Sequence, residues 1–246
     1  MSFSKSYLRN SSRNSIMATS SELNSIFNAL SVEERLNTLY NFYDTDEVLI
    51  TSSFGTNAVL LLHLISRINP NQKIYFIDTS YHFPETLAYK EQIIKEFGLN
   101  VISIGAYKEA NDFTTKNQTW KDNPDLCCSI NKVNPLEAIK SKHKLWVSGV
   151  IGYQTPFRKE LDIFEDHGNM MKFHPLVDWT EEEVTEYFQL YNLPEHPLKR
   201  KGYGSVGCSH CTAKGAGRAG RWKGKGKTEC GLHLTNFQQK KLAKAS

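Results

Sequence analysis

Apolar positions along the chain follow two spacings, and each spacing predicts a different kind of element. Helical spacing runs through residues 21–43, where Ser31 followed by Glu34 is the pattern of a helix N-terminus, so two helices should open the fold. Short apolar runs predict strands, and stretches at helical spacing separate most of them. The predicted strands are residues 48–51, 73–77, 100–104, 146–149 and 171–175, and the later helices are 58–65, 84–97, 135–139, 180–190 and 234–245.

Strands that alternate with helices indicate an α/β fold with a mostly parallel sheet covered by helices on both faces. The run at 171–175 is expected to be the fifth strand or an edge strand. Ligands of such sheets bind where a strand ends and a helix begins. The turn after the first strand therefore makes Ser52, Ser53 and Gly55 candidate substrate-binding residues, although a serine-rich turn is more often only a helix cap. It is neither a Walker loop nor a GxGxxG motif.

Composition divides the chain into three parts. Residues 1–20 contain seven serines and no acidic residue, which is typical of a disordered tail or an organelle transit peptide. Residues 21–198 hold the predicted α/β domain, and residues 199–246 form a basic, glycine-rich C-terminal segment. A hydrophobic content of 39% is enough for a core. No apolar run approaches the roughly 20 residues of a membrane helix, so a soluble enzyme is expected.

Positive charge is concentrated near the C-terminus. Residues 199–227 include nine Lys or Arg and no Asp or Glu, although the whole chain carries a net charge of only +4. Such a run alone favours a solvated tail or a nucleic-acid surface. Eight glycines and few large aromatic side chains in the same window favour instead a flexible segment that closes over a small anion. Arg218 and Arg221 are predicted to clamp that anion, because guanidinium groups bind sulfate and phosphate oxygens in pairs.

Five cysteines suggest a metal centre and a separate reactive thiol. Their odd number and their spacing do not fit a secreted disulfide framework, so we expect the cytoplasm, with an organelle as the alternative. Four of them suit Zn²⁺ or an iron–sulfur cluster, and the vicinal pair favours the cluster because neighbouring side chains diverge. Packing as small apolar residues would explain any one of them but not all four. The four are Cys127, Cys128, Cys208 and Cys211.

The fifth cysteine, Cys230, directly follows the basic window. Nearby positive charge favours the thiolate, which is the reactive form of a cysteine. A buried, inert cysteine is the commoner alternative, but Thr228, Glu229 and the adjoining Lys and Gly residues indicate exposure. Cys230 is therefore the candidate nucleophile. His233, three residues later, is a candidate hydrogen-bond partner of a substrate oxygen or of the sulfur.

Several motifs appear in the order that is typical of assimilatory sulfonucleotide reductases. They are SSFG, FIDTSYHFPET, CCSINKVNPL, GCSHCT, RAGRW and KTECGLH, and they extend from about residue 48 to 233. The chain resembles the cluster-containing, thioredoxin-dependent adenylylsulfate (APS) reductases of that family. The resemblance implies an adenine nucleotide alpha-hydrolase-like fold, related to ATP pyrophosphatases. Asn131 is a departure, since family members commonly carry an arginine there.

The resemblance also implies a cofactor and a reaction. Cys230 is the ECGLH cysteine, which in this family attacks the sulfur of APS, releases AMP and becomes an S-sulfocysteine. A separate thioredoxin or glutaredoxin-like protein then releases sulfite, the product needed for sulfate assimilation and cysteine biosynthesis. The implied cofactor is a [4Fe-4S] cluster on Cys127, Cys128, Cys208 and Cys211.

Further roles follow by matching position. The resemblance places Lys132 between cluster and substrate, gives His233 a contact with the phosphosulfate, and retains Arg158 as a substrate-binding residue. The alternatives are 3′-phosphorylated APS (PAPS) as a substrate or second substrate, an ATP-pyrophosphatase-type tRNA thiolation enzyme, and a zinc-stabilised nucleic-acid module. We expect no nucleic-acid or membrane partner, and a homo-oligomer is left open.

Overall fold

The computed structural model describes residues 18–167, 170–225 and 227–232. Its first helices are α1 (Ser20–Phe27) and α2 (Val32–Phe42). Each begins at a capping box, with Thr19 or Ser31 as the N-cap and a glutamate three residues on. The two predicted opening helices are thus confirmed. The later helices are α3 (Ala58–Ile68), α4 (Pro84–Phe97), α5 (Lys108–Lys116), α6 (Thr119–Asp122), α7 (Pro124–Cys128), α8 (Asn134–Lys140), α9 (Pro156–Lys159) and α10 (Glu181–Leu190).

Six strands form one sheet with the order β3-β2-β1-β4-β6-β5. All neighbouring strands run parallel except β5 and β6, which are antiparallel. The mostly parallel sheet predicted from the sequence is confirmed. The strands are β1 (Val48–Ser52), β2 (Lys73–Asp78), β3 (Asn100–Gly105), β4 (Leu145–Val147), β5 (Phe164–His167) and β6 (Met170–Phe173).

The strand expected at 171–175 occupies a different place in the sheet from the one predicted. It is β6, the sixth strand of the chain, and it lies inside the sheet between β4 and β5 rather than at the edge. The edge strand is β5, which the apolar pattern did not predict. Only Phe164 of the four residues in β5 is buried, so this strand has no continuous apolar run to reveal it.

Helices cover both faces of the sheet, as expected. Alternate residues of a strand point to opposite faces. Val48 and Ile50 of β1 accordingly join a large core with α2, α3, α4 and α10, whereas Leu49 joins a smaller core with Leu136 of α8. The described residues contain no helix long and apolar enough to cross a membrane. Residues 1–17 and the helix predicted at 234–245 lie outside the described residues.

The C-terminal segment packs over the carboxyl ends of the central strands. In the sheet, β2 lies on one side of β1 and β4 lies on the other. The connections that follow β1 and β4 therefore diverge, which creates a crevice between these two strands. The Ser209 N–H donates to the Tyr81 carbonyl at 2.7 Å, and Thr56 Oγ1 donates to the Gly204 carbonyl at 3.2 Å. A Cβ at Gly55 would lie 2.9 Å from the Val206 carbonyl oxygen, so this close approach requires glycine.

Candidate active site

A cleft of about 190 Å³ opens at the carboxyl ends of β1 and β4. Ser148 and Gly149, which follow β4, line it opposite the turn that follows β1. The structure therefore gathers here residues that lie far apart in the sequence. The predicted substrate-binding and catalytic residues that line it are Ser52, Ser53, Gly55, Lys132, Arg158, Arg218, Arg221 and Cys230. His233 lies outside the described residues.

The turn after β1 is built from a serine and a strained aromatic residue. Ser52 Oγ accepts a hydrogen bond of 3.1 Å from the N–H of Phe54, so this hydroxyl closes the turn. Phe54 has a positive φ of 48° and is fully buried against Phe76. Ser53 is exposed at the cleft. Ser52 therefore closes the turn but does not cap the following helix, whose N-cap is Asn57, and Ser52, Ser53 and Gly55 all line the cleft.

The four remaining cysteines surround a second, much smaller cavity next to the cleft. Each is less than a tenth exposed, and aromatic side chains of Tyr81, Trp120 and Trp222 pack around them. All five cysteines are free thiols. Among the described residues, no three His, Cys, Asp or Glu side chains are arranged to hold one metal ion. The four are Cys127 and Cys128 at the end of α7, and Cys208 and Cys211 in the C-terminal segment.

The thiols around this cavity differ in their electrostatic surroundings. Burial raises the pKa of Cys128 to about 12 and also raises the pKa values of Cys127 and Cys211. Burial acts in the same direction on Cys208, but the Lys132 charge and a hydrogen bond with Thr79 Oγ1 at 3.3 Å outweigh it and lower its pKa. Cys208 is therefore the thiol of this group whose thiolate the protein stabilises most.

Lys132 links the two cavities. It lies in a π-helical turn, Ser129–Val133, that continues the helix carrying the vicinal cysteines, and it lines both the cleft and the cysteine cavity. Burial disfavours its charge, but the negative charge of the neighbouring thiolates, that of Cys208 most of all, raises the pKa of Lys132. A partly buried cation is thus available between the cysteine cavity and the cleft. π-Helical turns are frequent at functional sites.

Two cleft arginines bind a carboxylate of the protein itself. Arg158 makes two contacts with Glu229, from Nε to Oε1 at 2.7 Å and from Nη2 to Oε2 at 2.9 Å. Arg218 Nη2 donates to the Thr228 carbonyl at 2.8 Å and to Glu229 Oε2 at 3.2 Å. Burial and the neighbouring Arg158 lower the pKa of Arg218 to about 10. Arg158 and Arg218 are therefore already partly neutralised.

Arg221 is held differently. Its guanidinium stacks on the Trp222 ring, with Cζ 4.4 Å from the ring centroid, and its backbone pairs with Thr212 in an antiparallel bridge. A Cβ on Gly207 would collide with the Arg221 guanidinium, so only glycine leaves room for that position. The Nε atoms of Arg221 and Arg218 are buried with no hydrogen-bond partner in the described part of the chain.

Sequence reasoning missed the role of Glu229. It was used only as a sign that Cys230 is exposed, but 5% of Glu229 is accessible and its carboxylate lies between two arginines, while Cys230 itself is partly exposed. Its position as the first acidic residue after a long basic run was the available signal, since a lone carboxylate there has many partners of opposite charge. The partner Arg158, however, is 71 residues away.

Asn131 has a structural position that explains why a polar, uncharged side chain stands there. It is 1% exposed, and its Nδ2 donates to the Cys127 carbonyl and to Thr114 Oγ1, each at 3.0 Å. Its Oδ1 accepts a hydrogen bond of 2.8 Å from Asn111 Nδ2. The amide thus ties the helical stretch with the vicinal cysteines to α5.

A mostly parallel α/β sheet with a crevice between β1 and β4, lined by cations and a free thiol, defines an α/β protein with a candidate anion site. The sequence matches the phosphoadenosine phosphosulfate reductase domain over residues 47–214. The chain belongs to this family.

Relatives and solved structures agree with this assignment. The chain is 39% identical over 220 residues to the adenosine 5'-phosphosulfate reductase of Bacillus mycoides (strain KBAB4), an alignment that covers 84% of this chain and 90% of that protein. The phosphoadenylyl-sulfate (PAPS) reductase of Candida auris, solved as a phosphate complex, superposes with a TM-score of 0.68 at 25% identity. That match covers 81% of this chain and 100% of the other.

A more distant structure shares the fold alone. The NH3-dependent NAD synthetase of Campylobacter jejuni subsp. jejuni NCTC 11168 superposes with a TM-score of 0.51 at 14% identity, over 76% of this chain and 80% of that one. Together with the strand order, these neighbours confirm the predicted adenine nucleotide alpha-hydrolase-like fold.

Proposed function

We propose that the protein reduces APS to sulfite and AMP, with Cys230 as the nucleophile and a thioredoxin as the reductant. One observation carries the proposal: a free thiol shares a cleft with four cationic side chains, those of Lys132, Arg158, Arg218 and Arg221. Cationic side chains bind sulfate and phosphate oxygens through charge-assisted hydrogen bonds, so the cleft is suited to an anionic ligand with several acceptor oxygens. The named APS reductase relatives support the same conclusion.

The reaction consists of three nucleophilic substitutions at sulfur. The Cys230 thiolate attacks the sulfur of APS, a bond forms between the two sulfurs, and the bond from sulfur to the phosphate oxygen breaks so that AMP leaves with the electron pair. A thioredoxin thiolate then attacks Cys230 Sγ and releases sulfite with the electron pair of the sulfur–sulfur bond. The second thioredoxin thiol breaks the resulting mixed disulfide and restores the Cys230 thiolate.

The cations of the cleft make the first step electrostatically feasible. An anionic thiolate approaches a sulfate group, so the negative charge of the oxygens must be offset at that point. Lys132 lines the cleft as a partly buried cation, and Arg221 presents a guanidinium fixed by Trp222. Each such charge-assisted contact is expected to stabilise the transition state by about 2–4 kcal/mol, by comparison with oxyanion-hole donors.

The family resemblance and the donor set both fit a [4Fe-4S] cluster on Cys127, Cys128, Cys208 and Cys211. Four buried free thiols around one cavity are the soft donor set that an iron–sulfur cluster takes. When bound, the cluster would supply charge next to Lys132 and need transfer no electron. The chain's own contribution is to hold the thiols, through Thr79 at Cys208 and Asn131 at Cys127.

The cleft favours APS over PAPS. Among the described residues, its Lys and Arg lining consists of Lys132, Arg158, Arg218 and Arg221, and Glu229 already engages two of them. The additional phosphate of PAPS brings about two more negative charges, for which no further cation lines this part of the cleft. We also propose a reducing compartment, the cytoplasm, in keeping with five free cysteines.

The experiment that tests the proposed function is a product assay with the purified full-length protein. APS or PAPS is supplied with thioredoxin and an excess of its reductant, and sulfite and AMP are quantified. We expect equal amounts of sulfite and AMP from APS, and slower turnover of PAPS. No sulfite from either nucleotide, with iron present in the protein, would refute the proposal.

The Gly207→Ala variant should weaken APS binding through Arg221. The new methyl group displaces the tip of a flexible side chain rather than backbone, so the stability should change little. Loss of a hydrogen bond to a charged group costs about 1.5–3 kcal/mol, which corresponds to an affinity about 10- to 100-fold weaker. Isothermal titration with APS in the Cys230→Ser background, where no reaction consumes the ligand, measures the effect.

A double-mutant cycle identifies the cause of that loss. If Gly207→Ala acts by displacing the guanidinium, adding it to Arg221→Ala should weaken APS binding no further than Arg221→Ala does alone. Additive losses would show that Gly207 acts through something other than Arg221.

A further inference from the structure

Glu229 connects the residue before the candidate nucleophile to the body of the fold. Its side chain is 3% exposed, and both carboxylate oxygens bind Arg158 in a fork-to-fork pair. A buried pair of this kind is rigid, and removing one partner is strongly destabilising because an uncompensated charge is left in the protein. Since Glu229 and Cys230 are adjacent, this pair restricts where the sulfur can lie.

Arg158 is also held in place by contacts with residues other than Glu229. It belongs to the short helix α9, whose N-cap Thr155 accepts a hydrogen bond from the Arg158 N–H at 3.2 Å. Its Nη1 donates to Gln154 Oε1 at 2.5 Å. The guanidinium is therefore positioned by α9 and the turn that precedes it. It gives the C-terminal segment around Glu229 a fixed partner in the body of the fold.

The segment is also held on both sides of Cys230. Arg218 binds the Thr228 carbonyl as well as the Glu229 carboxylate, so backbone and side chain are fixed together just before the nucleophile. Just after it, Gly231 turns the chain with a φ of 91°, and Leu232 packs against the smaller core. These anchors keep Cys230 in the cleft and against the aromatic residues of the cysteine cavity.

The cleft cations consequently divide into two pairs with different tasks. Arg158 and Arg218 bind Glu229, whereas Lys132 and Arg221 make no ion pair with it in the described residues. Arg221 stacks on Trp222, and Lys132 lies next to the thiols. Arg158 and Arg218 therefore hold the segment that carries the nucleophile while they also line the cleft, and Lys132 and Arg221 line it without a contact to Glu229.

We propose that Glu229 is a positioning residue, which holds Cys230 in its reactive place in the cleft through the Arg158 and Arg218 ion pairs. The inference deepens the proposed function and rests on Cys230 as the nucleophile. In this proposal Glu229 orients the Cys230 thiol and does not compete with the substrate for the cleft arginines. Displacement of a reacting group by about 1 Å can slow a reaction about 100-fold, so the orientation of one thiol has a measurable effect.

The test uses Glu229→Gln, which keeps the shape of the side chain and removes its charge. S-sulfocysteine formation at saturating APS is followed by rapid quenching without reductant, and we expect it to slow about 100-fold. The APS dissociation constant, measured in the Cys230→Ser background with and without Glu229→Gln, should not rise, since all four cations stay in the cleft and none of them loses its charge. Alkylation of Cys230 by iodoacetamide should become faster as the segment loosens.

Glu195→Gln is the matched control. Glu195 also pairs with two cations, Lys199 and Arg200, but these ion pairs are at the surface and take no part in the cleft. All three quantities should stay at wild-type values in that variant. If Glu229→Gln does not fold, Glu229→Asp is measured in the same way, because it retains the charge and shortens the reach.

The outcomes are distinct. Slower S-sulfonation with no loss of affinity and faster alkylation supports positioning. Unchanged S-sulfonation would overturn it, and tighter APS binding with faster S-sulfonation would show that Glu229 competes with the substrate instead. If the wild-type protein forms no S-sulfocysteine, the proposed function fails, while an unchanged alkylation rate in Glu229→Gln separately refutes the anchoring of Cys230.

Discussion

Cys230→Ser is expected to release no sulfite from APS and to form no sulfonated residue, while it still binds the nucleotide. A serine hydroxyl is a weak nucleophile without an adjacent general base, whereas a cysteine thiolate attacks sulfur readily. The substitution removes only the reacting atom, because Cys230 is partly exposed in the cleft and the cationic lining is unchanged. Sulfite release measures the loss, and titration with AMP or APS measures the binding that is retained.

The same variant separates the nucleophile from the other thiols. Iron content and visible absorption should be as in the wild type, since Cys230 is not in the four-thiol donor set. Sulfite production at the wild-type rate, or a sulfonated adduct on another residue of the variant, would rule out Cys230 as the acceptor of the sulfo group.

Cys208→Ser is expected to lose the iron–sulfur cluster and, with it, nearly all APS reduction. Cys208 is the buried thiol whose pKa is lowered, because Lys132 and the hydroxyl of Thr79 outweigh the effect of burial. A serine oxygen cannot replace this soft thiolate ligand. Iron analysis and visible absorption of the purified protein measure the loss, with Cys230→Ser as the matched cysteine-to-serine control.

Full iron content in Cys208→Ser would contradict the proposed ligand set. A colourless wild-type protein that contains zinc and turns over APS at full rate would contradict the cluster itself. The metal content and the visible absorption are measured on the isolated protein, so neither depends on the supply of a reductant.

Local signals in the sequence were sufficient for most helices. Ser31 was recognised as an N-cap, and its hydroxyl accepts a backbone hydrogen bond within a capping box. Helix α4 runs from Pro84 to Phe97 as predicted, since proline starts it and Gly98 ends it in the left-handed conformation. Such signals act within a few residues, so they are visible in a single sequence.

Pairing between residues far apart in the sequence could not be predicted from such local signals. The inner position of β6 depends on its partner β5, a polar edge strand that has no apolar pattern of its own. The burial of Glu229 depends on Arg158, which lies 71 residues away, and the sequence around it suggested exposure. The family motifs named the site residues, but they did not reveal that two of the arginines hold the segment that carries the nucleophile.

The most direct test of the account is the mass of the peptide that contains residue 230 after the wild-type protein is mixed with APS in the absence of any reductant. We expect that peptide, and no other, to gain the mass of one SO3 group, and thioredoxin to remove the group as sulfite. An unmodified Cys230, or a sulfo group on any other residue, would contradict the central claim that this thiol accepts the sulfo group of the nucleotide.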